Sequence, residues 1–157
     1  MSANIGIFEP NLKAVAQLLN ITLADEMTLL VKTRNFHWNV KGLHFSELHS
    51  FFDEEYGLLD ESVDEIAERV RAIGEYAIGS LEEFKAQTRL KESLIKGLSA
   101  QEMLKELLND HEFLIKKIRI DIEETASKYQ DVGNSDYLTG LLKQHEKTAW
   151  KLRSYLE

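Results

Sequence analysis

The stretch Ser46–Gly74, SELHSFFDEEYGLLDESVDEIAERVRAIG, decides the fold, because it reads as one long helix carrying a stripe of metal-ligand side chains. His49 and Asp53 are four residues apart, and Asp64 and Glu68 repeat that spacing further along. At about 100° per residue the four positions fall within an arc of roughly 100°. The midpoints of the two pairs, however, lie about 22 Å apart at 1.5 Å rise per residue, so no single ion can touch both. If two copies of the helix cross antiparallel about a two-fold axis, the His49/Asp53 end of one meets the Asp64/Glu68 end of the other. The crossing falls near residues 58–59, beside Gly57, where a missing side chain lets two backbones approach. An isologous dimer of this kind carries two identical sites, each built from both subunits.

Working outward, Ser46 is a fair N-cap for a helix over about 47–73, and Gly74 ends it. An earlier helix runs from about Pro10, well placed at a helix start, to about His37. Its apolar residues Leu12, Val15, Leu19, Leu23, Leu29 and Leu30 recur mostly at helical spacing. Asn39-Val40-Lys41-Gly42 is a short link. Ser80-Leu81-Glu82-Glu83 and Ser99-Ala100-Gln101-Glu102 are two capping-box patterns. The first opens a short helix; the second opens a long one over about 100–128. Asp131-Val132-Gly133-Asn134 reads as a loop, and a last helix runs from about Ser135 to the end. Four long helices with a short one inside a long middle connection predict an all-α four-helix bundle, built as a single domain over residues 1–157.

Composition narrows the function. One Pro and eight Gly leave little punctuation for an all-β fold, and the absence of Cys excludes thiolate ligands and thiol nucleophiles. No basic, then apolar, leader opens the chain and no stretch nears membrane-spanning length, so the chain reads as cytoplasmic. A net charge of −8, with no Lys or Arg in residues 1–12, argues against direct electrostatic binding of DNA, although bridging by divalent cations stays open.

His37 closes the first helix twelve residues before His49. Two imidazoles with Asp53, Asp64 and Glu68 make a mixed nitrogen and oxygen set that suits first-row metals better than Ca²⁺ or Mg²⁺. Iron(II), zinc, cobalt and manganese all satisfy it. Iron is preferred because carboxylates stabilise the ferric product. Acids on helices are commonly just solvated surface, and Glu54, Glu55, Glu61 and Glu65 show how many this chain has. The histidines carry the distinction, since two of only five fit the constellation. His44, His111 and His145 are assigned to exposed or hydrogen-bonded roles, with His44 a possible auxiliary, and Asp60 to the cavity side of the stripe. Trp38 and Trp150 are read as packing residues, Trp38 with a second reading as a preferential site of oxidation beside the metal. A di-iron site inside one bundle needs Glu-x-x-His motifs, and no His here has Glu three residues before it.

The runs Asn35-Phe36-His37-Trp38-Asn39-Val40-Lys41-Gly42, His49-Ser50-Phe51-Phe52-Asp53 and Asp64-Glu65-Ile66-Ala67-Glu68-Arg69 together resemble the Dps family of mini-ferritins. The resemblance implies a ferritin-like bundle and a hollow shell of twelve copies. It implies that His37, His49 and Asp53 of one subunit bind iron together with Asp64 and Glu68 of its two-fold partner. The implied activity is oxidation of Fe²⁺, with hydrogen peroxide preferred over oxygen, and storage of the ferric mineral; zinc is an alternative occupant. It also suggests Asp131 and Asp136 as acids lining three-fold pores, and Glu54 and Glu61 as candidates for seeding mineral. Many members bind DNA through a Lys-rich N-terminal arm, which the opening Met-Ser-Ala-Asn-Ile-Gly-Ile-Phe does not supply. A DNA-compacting structural protein is the alternative function.

Overall fold

The computed structural model describes residues 3–157. Its helices are α1 (Glu9–Asn39), α2 (Phe45–Ala72), α3 (Leu81–Gln87), α4 (Ala100–Glu123) and α5 (Val132–Leu156), with a π-helical turn over Glu124–Lys128 extending α4. α1 packs chiefly on α2 and α4 on α5, giving two helical hairpins. The connection between α2 and α4 is long, and its short α3 lies against α1. This is the expected four-helix bundle. Its core is drawn from every long helix: Leu19, Leu23 and Phe36; Phe52 and Ile66; Leu107, Leu114 and Ile118; Leu138 and Leu152.

Both capping boxes form as read. Ser80 and Ser99 each accept a hydrogen bond from the backbone N–H three residues on, and Glu83 and Glu102 reach back to the cap residue's own N–H. Other boundaries move for local reasons. α2 starts at Phe45 rather than after Ser46, because Gly42 at φ 111° turns the chain and His44 C=O already accepts from Leu48 N–H at 3.0 Å. The stretch 131–134 is not a loop but the first turn of α5. Asp131 caps it by accepting from Asn134 N–H at 2.9 Å, which compensates for the poor helix propensity of Gly133. α1 runs on through Trp38 and Asn39.

α1 also corrects the reading that no stretch approaches membrane-spanning length. By length and mean hydropathy, 1.3 over eighteen residues, it qualifies; yet 61% of that window is buried inside the bundle, as a core helix requires. The long connection is tied down by Arg89, which donates to the fully buried Asp25 at 2.7 Å and to Asp121 at 3.0 Å. Burial pushes both carboxyls up from the usual range, and the guanidinium between them offsets that shift.

Candidate metal centre

His37 sits in the last turn of α1 and His49 near the start of α2, so the short link folds them face to face. Their rings stack at 3.7 Å between centroids. His49 Nδ1 lies 2.8 Å from His37 C=O, and His37 Nδ1 lies 2.8 Å from His49 C=O. A carbonyl only accepts, so each Nδ1 carries a proton, and Nε2 is the ring nitrogen left to bind a metal. The carbonyl of His37 is available because helix-terminal carbonyls have no intrahelical partner. Backbone geometry thus fixes both imidazoles in the tautomer a metal requires.

One turn along α2, Asp53 Oδ1 lies 3.9 Å from His37 Nε2. Two donors that each approach a first-row metal to about 2.1 Å are separated by roughly 3–4 Å, so this spacing suits one shared ion. Tyr56 donates to Asp53 Oδ1 at 2.5 Å. The sequence reading missed Tyr56; its spacing of three from Asp53 on one helix was the available signal.

Asp64 and Glu68 lie on the same helix and are exposed, as are Glu54, Asp60 and Glu61. The helix rise keeps Asp64 and Glu68 about 22 Å from the histidine end. Among the described residues no group of three or more His, Asp or Glu side chains in one chain is arranged to hold a metal ion. A single chain therefore stacks His37 on His49 with Asp53 beside His37, and presents Asp64 and Glu68 elsewhere on α2.

The remaining histidines take the exposed or hydrogen-bonded roles assigned to them, whereas Asp131 and the two tryptophans differ from expectation. His44 is exposed, 3.7 Å from Glu47. His111 and His145 are buried and hydrogen-bonded: their Nδ1 atoms are 2.9 Å apart, and His145 Nε2 is 2.7 Å from Glu26, itself 0% exposed. Burial, with His145 alongside, pushes the His111 pKa well down, so His111 is neutral. Asp131 is only 4% exposed, and besides capping α5 it accepts from Asn134 Nδ2 at 2.5 Å. Its carboxylate is occupied in holding α5, which removes it as a free pore acid. Asp136 is exposed. Trp38 and Trp150 are 69% and 60% exposed, so neither packs into the core of its own chain.

A ferritin-like bundle with histidine and carboxylate donors at the α1–α2 junction defines the class, and comparison with known proteins agrees. The family model for the ferritin-like domain matches residues 16–157. A DNA protection during starvation protein 2 of Bacillus anthracis is 35% identical, over 92% of this chain and 97% of that one. An uncharacterised low temperature-induced protein of Nostoc is 45% identical, over 98% and 86%. Among solved structures, a Dps protein from Bacillus brevis aligns with a TM-score of 0.90 at 34% identity, over 96% of this chain and all of that one. A Dps protein from Vibrio cholerae, described as a member of a broad superfamily of ferritin-like diiron-carboxylate proteins, aligns at 0.92 with 27% identity, over 99% and 97%. The chain belongs to the Dps family of ferritin-like proteins.

Proposed function

We propose that this protein oxidises Fe²⁺ at sites shared between two-fold-related subunits and stores the ferric product inside a closed shell of twelve copies. His37, His49 and Asp53 of one subunit bind the iron together with Asp64 and Glu68 of its partner. The observation that carries the reading is the reciprocal pair of imidazole–carbonyl hydrogen bonds, which engages both Nδ1 atoms and leaves both Nε2 atoms as donors, that of His37 lying 3.9 Å from Asp53 Oδ1. The complementary acids on the same helix supply what the histidine half-site lacks.

The surface near the junction supports pairing. A Cβ added to Gly57 would meet nothing within 4 Å in its own chain, so packing within the chain does not require glycine there. Trp38, Leu43, Phe45 and Leu58 are large, apolar and exposed around the end of α1 and along α2. Burying such residues against a second copy is favourable at about 25 cal/mol per Å² of apolar surface.

Hydrogen peroxide is the proposed oxidant. Reduction to water takes two electrons: 2 Fe²⁺ + H₂O₂ + 2 H⁺ → 2 Fe³⁺ + 2 H₂O. Two ferrous ions at or near one site supply both electrons, so no hydroxyl radical escapes. The carboxylates favour the ferric product, and the neutral imidazoles hold the ferrous substrate without adding charge. Zinc fits the same donors and would compete for them. The whole chain, residues 1–157, acts as one functional unit in the cytoplasm. An acidic chain gives no support to the DNA-compacting alternative.

The test is anaerobic loading with Fe²⁺ followed by a pulse of peroxide, with a hydroxyl-radical trap present and particle size followed by light scattering. The expected result is rapid ferric absorbance at two Fe²⁺ per peroxide, little trapped radical and a shell-sized particle. Oxidation no faster than in protein-free buffer would contradict the proposal.

A further inference from the structure

Tyr56 is held from three sides. Its hydroxyl donates to Asp53 Oδ1 at 2.5 Å, the Arg34 guanidinium lies 4.7 Å from its ring centroid, and its ring meets His37 edge-on, with centroids 5.3 Å apart at 77°. A phenol on an open helix face is free to turn about χ1. Here two ring contacts, neither involving Asp53, fix where the O–H points. Through this ring the end of α1 and the first turns of α2 become one rigid unit, with His37 on one edge and Asp53 at the tip.

We propose that Tyr56 is the positioning residue of this site, its hydroxyl holding the Asp53 carboxylate so that it meets a divalent cation beside His37 through one oxygen. The inference rests on reading His37, His49 and Asp53 as a cation half-site. The oxygen that Tyr56 holds, Asp53 Oδ1, is also the one 3.9 Å from His37 Nε2, so a single hydrogen bond fixes the donor atom that faces the imidazole. A cation bound there would meet one fixed carboxylate oxygen, and a position that a bidentate carboxylate would fill would stay open for water or oxidant. Outer-shell partners of this kind set ligand orientation, and losing one typically weakens metal binding by about 10–100-fold.

The test uses the intact oligomer and Co²⁺ as probe, titrated anaerobically and followed by its visible absorption, which reports coordination as well as occupancy. Three proteins are compared: wild type, Tyr56→Phe and His49→Ala. Tyr56→Phe keeps the ring over Arg34 and against His37 and removes only the hydroxyl. The expected result is Co²⁺ binding weakened about 10–100-fold in Tyr56→Phe, with a changed band shape, unaltered thermal unfolding and unaltered particle size. Binding within twofold of wild type and an unchanged spectrum would overturn the role of Tyr56 while leaving the site reading intact, provided His49→Ala has lost the signal. Weakened binding accompanied by a lower unfolding temperature or a smaller particle would overturn it as well, since the hydroxyl would then be supporting the fold. Identical titrations of wild type and His49→Ala would overturn the site reading, and this inference with it.

Discussion

Replacing His37 and His49 together by alanine is expected to reduce iron oxidation at least about 100-fold, to the rate in protein-free buffer, while leaving a folded oligomer. Each ring supplies one of the two Nε2 donors, and each ring's Nδ1–H holds the other residue's carbonyl. Removing one histidine leaves the other ring bonded to a backbone carbonyl but takes away its stacking partner and one of the two nitrogen donors, so either single variant should lose most of the activity. The structural cost is modest. Two side-chain hydrogen bonds are worth about 1–3 kcal/mol together, and alanine suits both helical positions better than histidine. The core residues of α1 and α2, Phe36 and Phe52 among them, are untouched. The check is stopped-flow ferric absorbance with circular dichroism and light scattering on the same sample. Wild-type rates in the double variant would refute the site assignment.

The second large effect is expected at Gly57. Within one chain the position is open, so substitution there should not disturb the bundle. Gly57→Ala should stabilise the helix by about 0.5–1 kcal/mol, because glycine loses more backbone freedom on folding. Gly57→Trp should fold equally well but hold two α2 helices apart at their crossing. The half-sites then fail to meet, particle size falls, and oxidation drops to the level of the double histidine variant. Sedimentation and oxidation rate measured together are the check. A full-size particle with a wild-type rate would show that the subunits do not cross at this point.

What the sequence disclosed and what it hid follow from the range of the forces involved. Caps and helical periodicity are local, so Ser80, Ser99 and the course of the long helices were legible from their own neighbours. The spacing of His49, Asp53, Asp64 and Glu68 on one helix was legible for the same reason. The structure joins His37 and His49 by exchanged carbonyl hydrogen bonds that no spacing rule contains, because they depend on how Gly42 turns the link. Asp131 was readable as a cap but was masked by Gly133, which reads as a loop residue. His111 shares an apolar face with Leu104, Leu107, Leu114 and Ile118, a pattern that pointed inward. Its partner His145, and the Glu26 that His145 meets in turn, are distant in sequence, so pairing had no local signature. Trp38 and Trp150 show the opposite limit: aromatic character suggested packing, whereas both are largely exposed in their own chain.

The most direct measurement of the central claim, that each site is built from two subunits, is a mixing experiment. His49→Ala removes a donor from one half-site and Asp64→Ala removes one from the other, so each homogeneous protein should be inactive. The two are dissociated, mixed and reassembled, with subunit exchange verified by mass-tagging one partner, and peroxide-driven Fe²⁺ oxidation is then followed. Every mixed dimer pairs one intact half-site with one intact half-site at one of its two positions and two damaged halves at the other. Random mixing makes half of the dimers mixed, so about a quarter of the wild-type sites should be restored. Verified exchange with no recovered activity would contradict the account and place the whole site within a single chain.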